Sequence, residues 1–156
     1  MTIKTILVPL DGSEGSRNAL KSGAQLARER KAHLEVVHVR TNPKDAVPLL
    51  GEGMSGAVIE DIITAAEKEA VERAQRAREI FESECPVAEF PRTDNPAECD
   101  GASTMWYEET GREDEIVAYW GRLADIIIIN RPTDDSAVSA TMTLNAALVE
   151  TGRAVL

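Results

Sequence analysis

Cysteine and histidine are scarce in this chain, which restricts the metal and redox chemistry that it can support. Its 156 residues include two cysteines, Cys85 and Cys99, and two histidines, His33 and His38. The cysteines do not form a Cys-x-x-Cys pair, so a zinc site would have to gather all four of these scattered side chains. We therefore expect neither a disulfide nor a metal site.

Long hydrophobic runs are also missing. The longest aliphatic run, Ile126 to Ile129, has four residues, whereas a membrane-spanning helix needs about 20. The first residues are not followed by the long apolar stretch and small-residue cleavage site of a signal peptide. We expect a cytoplasmic protein with no membrane partner.

The chain has no excess of positive charge. It contains 17 Lys and Arg against 27 Asp and Glu, a formal net charge of −10, and an acidic field of that size repels nucleic-acid phosphates. The densest basic group is Arg73, Arg76 and Arg78, and glutamates are interspersed with it. Such a pattern is typical of a solvated helix face with mixed charges. We expect no nucleic-acid partner.

What the chain does contain is an alternation of strand-like and helical segments in an average globular composition, with 43% hydrophobic residues. Unbroken β-branched runs favour strands that are covered on both faces, and a 3.6-residue apolar period favours helices. The predicted strands are Ile3–Pro9, Leu34–Val39, Ser103–Glu109, Asp125–Asn130 and Arg153–Leu156, and the predicted helices are Glu14–Arg30, Val58–Ser83, Glu113–Arg122 and Ala137–Glu150. This order predicts a parallel sheet with right-handed crossovers. Leu20, Ile62 and Ile128 are predicted core residues, and the fourth strand is expected to be the most buried.

The length predicts one domain over residues 1–156. The last strand ends abruptly on Val155-Leu156, although strands typically run about 5–6 residues. We expect that the chain stops inside its fifth strand, either as a fragment or with a further segment following it.

Several segments together resemble the universal stress protein (UspA-like) family. The opening Ile6-Leu7-Val8-Pro9-Leu10-Asp11-Gly12-Ser13-Glu14 and the run His33-Leu34-Glu35-Val36-Val37-His38-Val39 are similar to the family's first two strands. Leu123 to Ile129 is similar to its fourth strand, and Gly152 to Leu156 to the start of its fifth. The segment Leu49 to Met54 and the pair Arg131-Pro132 resemble the first half of a two-domain member, which would account for a missing end.

This resemblance implies an α/β fold: an open, twisted, five-stranded parallel sheet in the order 3-2-1-4-5, with helices on both faces. It is Rossmann-like, of the adenine nucleotide alpha hydrolase-like type. Ligands of such sheets lie at the carboxyl ends of the strands, where the strand order reverses, here beside Asp11 and Asn130. Many relatives bind ATP there. By resemblance, Asp11 would face the ribose and phosphates, Pro9 would line the cleft, and Val39 would offer backbone groups to adenine.

The glycine-rich phosphate loop of the ATP-binding members is missing. No glycine occurs between Gly121 and Gly152, and Asn130 and Thr133 stand at the positions of the loop's first two glycines. Backbone N–H groups approach phosphate oxygens most closely where the residue has no Cβ. Arg131 could supply one cation, but Asp134 and Asp135 follow at once. ATP is therefore a possible but disfavoured cofactor.

Three functions remain open. The first is a stress-protein domain that acts through protein contacts, as a homodimer or with a second UspA-like domain. The second is an ATP- or AMP-binding sensor that uses Asp11 and Val39. The third, an enzyme such as a ligase or nucleotidyl transferase, ranks last because its HxGH and SGGxDS motifs are missing.

Asp11 could equally be a loop or cap residue, Gly12 is expected in a turn, and His38 is expected in the core, so no catalytic constellation is predicted.

Overall fold

The computed structural model describes residues 2–42, 55–133 and 138–156. In this part of the chain strands and α-helices alternate. They are β1 (Thr5–Pro9), α1 (Glu14–Arg30), β2 (His33–Arg40), α2 (Gly56–Glu84), β3 (Ser103–Thr110), α3 (Glu113–Gly121), β4 (Ile126–Ile127), α4 (Val138–Glu150) and β5 (Ala154–Val155), with a 3-10 turn at Pro96–Glu98. The segment Leu49 to Met54 and the pair Asp134-Asp135, on which two expectations rested, lie outside the described residues.

The strands form one sheet in the order β3-β2-β1-β4-β5. Every neighbouring pair is parallel, and Ile6 of β1 lies between Leu34 of β2 and Ile126 of β4 in the register. The predicted parallel sheet of order 3-2-1-4-5 is confirmed. β1 lies where the strand order reverses, so its carboxyl end opens onto a crevice.

Helices cover both faces of the sheet because successive side chains of a buried strand point to opposite sides. Ile6 and Val8 pack on the face of α1 and α2, in one core with Leu20, Phe81 and Ile128. Leu7 packs on the face of α3 and α4, in a second core whose members include Val37, Val39, Val117 and Ala147. The expected core positions Leu20 and Ile128 are thus confirmed.

Helix α1 has the bounds that its sequence predicts. Ser13 is its N-cap, and its Oγ accepts a hydrogen bond from the Ser16 N–H at 3.1 Å. The helix ends where Lys31 takes the left-handed conformation, with φ of 54°. The loop before α1 is therefore fixed by the helix start, which determines where Asp11 and Gly12 lie.

The prediction that Ile62 lies in the core is wrong. Helix α2 has 29 residues and is about 43 Å long at 1.5 Å per residue, whereas the five residues of β1 span only about 17 Å. The buried residues of α2, from Ala74 to Phe81, all belong to its C-terminal half. Ile62 lies in the other half, which has too little sheet beneath it, and is only half-buried.

The fourth strand is also less buried than expected. Only Ile126 and Ile127 are assigned to β4, and Ile126 and Ile129 are half-buried, whereas Ile6 to Pro9 of β1 are all buried. The reason is its neighbour: β5 pairs with β4 through two residues only, so the sheet narrows on this side.

No helix in the described part of the chain combines the length and apolar character needed to cross a bilayer.

Candidate functional site

A cleft of about 420 Å³ opens at the carboxyl ends of β1 and β4. It lies at the reversal of strand order, where ligands of open α/β sheets bind. Its walls come from the β1–α1 loop, α2, the start of α3, the segment after β4, and α4. They are formed by Asp11, Gly12, Ser13, Gly15, Glu69, Arg73, Arg76, Glu113, Asn130, Arg131, Thr133, Ser139 and Ala140.

Pro9 is the last residue of β1, and Asp11 follows it by two positions. Pro9 is buried and lines a narrow inner extension of the cleft, together with Asp11 and Asn130. The Oδ1 atom of Asp11 accepts a hydrogen bond from the Ser13 N–H at 2.8 Å. Asp11 therefore shapes the loop and also faces the cleft, so both of its expected roles are compatible with the structure.

Gly12 occupies the turn between β1 and α1. Its φ is +85°, a region that favours glycine, and a Cβ at this position would lie 2.9 Å from the carbonyl oxygen of Arg73. The missing side chain lets α2 press directly on the loop. This contact confirms Gly12 as a turn residue and brings the middle of α2 to the mouth of the cleft.

Asn130, three residues after the end of β4, packs against the first turn of α1. A Cβ on Gly15 would lie 2.8 Å from Asn130 Nδ2 and 3.3 Å from Asn130 Cβ, so the amide already fills the space above Gly15. Arg131 follows and lines the cleft with an exposed side chain. Four of the five predicted site residues, Pro9, Asp11, Asn130 and Arg131, are thus brought together.

Val39, the fifth, does not line the cleft. It is 3% exposed, and its side chain lies in the core beneath α3 and α4. It pairs with Glu109 in the β2–β3 ladder. A role for Val39 toward adenine would therefore depend on its backbone alone.

Four further charged residues of the cleft were not predicted as site residues: Glu69, Arg73, Arg76 and Glu113. The expected solvated face with mixed charges is seen at Arg76 and Arg78, which are exposed, and Arg78 pairs with Glu82 at 2.8 Å. What the expectation missed is that Arg73, which is half-buried, and Arg76 also line the cleft. The sequence did contain a signal for Arg73, because this residue immediately precedes Ala74 on the apolar stripe of α2. Glu113 gave no such signal, because an acidic residue at a helix start is explained by the helix dipole alone.

The carboxylates of the cleft differ in their protonation. Burial, together with the negative charge of Asp11 and against the opposing charge of Arg73, raises the pKa of Glu113 to about 7. Burial also raises the pKa of Asp11, but hydrogen bonds from Ser13 and Ser16 and the charge of Arg73 outweigh it, so that pKa lies below its ordinary value. Asp11 is therefore ionised at neutral pH, and Glu113 is partly protonated.

His38 and the two cysteines take no part in the chemistry of the cleft. His38 is 1% exposed, its Nδ1 lies 2.7 Å from the Leu10 carbonyl oxygen, and its ring stacks on Trp106, which confirms it as a core residue. Both cysteines are free, and burial raises the pKa of Cys85 to about 12, which keeps it a thiol. Across residues 2–42, 55–133 and 138–156 no three His, Cys, Asp or Glu side chains are grouped closely enough to hold a metal ion.

The fold and this crevice define a doubly wound α/β domain with its site at the reversal of strand order. The family model described as the universal stress protein family matches residues 2–98. This chain belongs to the universal stress protein family. No curated protein matches it in sequence.

Solved structures agree on the fold. Universal stress protein UspA from Lactobacillus plantarum is 16% identical, with a TM-score of 0.59 over 100% of this chain and 97% of that chain. A universal stress protein in complex with cAMP is 16% identical, with a TM-score of 0.53 over 100% and 96%. A universal stress protein from Archaeoglobus fulgidus is 22% identical, with a TM-score of 0.51 over 100% and 93%. The chain therefore shares the fold of these universal stress proteins.

Proposed function

We propose that this chain is a cytoplasmic, non-enzymatic universal stress protein domain that acts through protein assembly and holds no ordered triphosphate. The observation that carries the proposal is the Asn130 amide packed over Gly15, where the cleft meets the first turn of α1. Phosphates bind at such a place when backbone N–H groups face them and no side chain intervenes.

The charges of the cleft support the same conclusion. Arg73, Arg76 and Arg131 line it, and so do three carboxylates, Asp11, Glu69 and Glu113. Three cations against three carboxylates leave no net attraction for a triphosphate once Glu113 is ionised, and a carboxylate facing phosphate is unfavourable without a bridging metal. The cleft therefore does not replace the missing glycine loop with positive charge.

Assembly is supported by an apolar surface beside β5. Leu123, Val149 and Leu156 are 63%, 80% and 67% exposed. β5 is the last strand of the sheet order, and an open strand edge is a template for pairing with another chain. The partner that fits this edge is a second copy of the chain or a second domain of the same family, as in a tandem member.

We expect light scattering to report about twice the chain mass of 16.9 kDa at micromolar concentration. Leu156→Asp places a charge beside the β5 edge and should shift the population toward monomer, because a desolvated charge in an interface costs several kcal/mol. Val71→Asp is the matched control, since Val71 is 54% exposed on α2, away from this edge, and it should leave the mass unchanged. A wild-type monomer throughout this concentration range would contradict the homodimer.

The second candidate function is a sensor of a nucleotide with a single phosphate. Arg73 and Arg76 in the cleft favour it, because an arginine pair suits one phosphate group better than an extended triphosphate. The structural neighbour solved with cAMP is in keeping with this candidate. Analysis of the supernatant after denaturing the purified protein separates the two functions: stoichiometric AMP or cAMP would favour the sensor, and its absence would favour assembly.

A further inference from the structure

A separate cavity of about 430 Å³ lies at the opposite, amino edge of the sheet. Its walls come from the start of β1, the first residues of β2 and β3, the last turn of α1, and the segment around the Pro96–Glu98 turn. β2 has eight residues and is about 26 Å long at 3.3 Å per residue. The length of the strands therefore separates this cavity, here called the amino-edge cavity, from the cleft beside Asp11.

The amino-edge cavity is positively charged in an acidic protein. Lys4, Arg30 and Lys31 line it, and no Asp or Glu among the described residues does, although the chain has a net charge of −10. Like charges gathered on a concave surface focus the local field on a small counter-ion. The cavity is therefore a local exception to the repulsion of anions by the molecule as a whole.

The side chains of these three cations are exposed. Among the described residues, none of the three forms an ion pair, whereas Arg28 in the same last turn of α1 pairs with Glu89 at 2.7 Å. Arg28 and Arg30 both supply a cation to the negative end of the α1 dipole. The carboxylate of Asp125 interacts with the Lys4 charge, and its Oδ2 accepts the backbone N–H groups of Lys4 and Thr5 at 2.7 and 3.0 Å.

The remaining walls add hydrogen-bonding and apolar groups. His33 is 4% exposed, and its Nδ1 lies 2.9 Å from Ser103 Oγ, so both side chains are held in place at the floor. Ile3, Pro96 and Ala97 supply apolar surface. Ligand sites commonly combine such an apolar wall with a few fixed polar groups.

We propose that the amino-edge cavity binds a small phosphate-bearing anion, with its dianion among Lys4, Arg30 and Lys31. A phosphate dianion suits a cavity lined by three cations better than a singly charged carboxylate does. The apolar wall at Ile3 and Pro96 accommodates the body of an organic phosphate. This ligand would be independent of any nucleotide in the cleft, because different elements line the two sites.

The test is an NMR titration of the full, isotope-labelled chain with inorganic phosphate and, separately, with phenyl phosphate at constant ionic strength. We expect saturable amide shifts at Lys4, His33 and Ser103, with dissociation constants below about 10 mM, or at least about 2.7 kcal/mol of binding free energy. Tighter binding of phenyl phosphate would identify an organic phosphate as the ligand, and equal affinities would identify free phosphate.

The double variant Lys4→Gln/Arg30→Gln should weaken binding roughly tenfold or more, because each lost charge removes about 1 kcal/mol or more of attraction at close range. Its fold should persist, since both side chains are exposed and neither forms an ion pair within the described residues, and the dispersion of the amide spectrum checks this. Lys21→Gln/Lys68→Gln removes the same charge from exposed positions on α1 and α2 that do not line the cavity, and should change the affinity less than twofold.

Three results would overturn the proposal. The first is the absence of saturable shifts with either probe up to about 20 mM, well above the expected constant. The second is shifts confined to the distant cleft around Asp11 and Asn130. The third is equal weakening by the double variant and by the lysine control, which would show attraction to overall charge.

Discussion

Truncating Ile128 to alanine is expected to cost about 2–5 kcal/mol of unfolding free energy, as large-to-small changes in well-packed cores do. Ile128 is 2% exposed and belongs to the core beneath α1 and α2. Its N–H donates to the Leu7 carbonyl at 2.9 Å. The truncation would therefore leave a cavity beside the central strand, directly behind the segment that carries Asn130 and Arg131.

Urea unfolding of the wild type and of Ile128→Ala measures this loss of unfolding free energy, and the m-value should be the same for both proteins. Val71→Ala is the matched control, since Val71 is 54% exposed on α2, away from the β5 edge, and its truncation should change stability by less than about 0.5 kcal/mol. A loss below about 1 kcal/mol for Ile128→Ala would show that the residue after β4 is not part of the central packing.

The second large effect is a pH dependence caused by Glu113. Its pKa is raised from 4.5 to about 7 in the folded protein, so between these values the folded state keeps a proton that the unfolded chain has lost. The unfolded state binds fewer protons in this window, and stability therefore falls as the pH rises through it. A shift of this size corresponds to at most about 3 kcal/mol between pH values well below and well above the window.

Glu113→Gln removes this titration. Relative to the wild type, the variant should gain about 2–3 kcal/mol between about pH 5 and pH 8. Glu115→Gln is the control on the same helix, because the Glu115 side chain is 68% exposed and should give a difference from the wild type that hardly changes with pH. Parallel stability curves for the wild type and Glu113→Gln would contradict the buried position of Glu113 beside Asp11.

The order of strands and helices along the chain and most helix bounds were predictable, because each buried strand is a short β-branched run and each helix has a clear apolar stripe, whereas the order of strands in the sheet was implied by the family resemblance. α1 was predicted to the residue, since Ser13 and the basic last turn mark both its ends. Ile62 and β4 were misjudged for one reason: hydrophobicity reports what a segment could bury, whereas actual burial depends on the size of the element opposite it. The length of α2 was predicted closely, as Val58–Ser83 against the observed Gly56–Glu84, but nothing in its sequence shows how little of that length lies over the sheet.

The candidate site was predictable where it follows from a strand end and not where it depends on packing between elements. Asp11 and Asn130 follow two adjacent parallel strands, so the topology alone places them together. Arg73 reaches the same cleft only because Gly12 lets α2 press on the loop. Glu113 lines the cleft because α3 begins beneath the mouth of the cleft. The burial of Glu113 at this place raises its pKa.

Asn130 is the residue on which the exclusion of a triphosphate from the cleft depends most. If its side chain keeps phosphates from the first turn of α1, Asn130→Gly should open that space and strengthen Mg-ATP binding relative to the wild type. Arg122→Gly is a comparison that adds a glycine outside the cleft, because Arg122 lies at the C-cap of α3, and it should leave the affinity unchanged.

The most direct measurement is calorimetric titration of the wild-type chain with Mg-ATP. The packed Asn130 amide and the balanced charges of the cleft predict a dissociation constant weaker than about 100 µM, which corresponds to a binding free energy of about 5.5 kcal/mol or less. A low-micromolar constant would contradict the conclusion that this universal stress protein domain holds no ordered triphosphate.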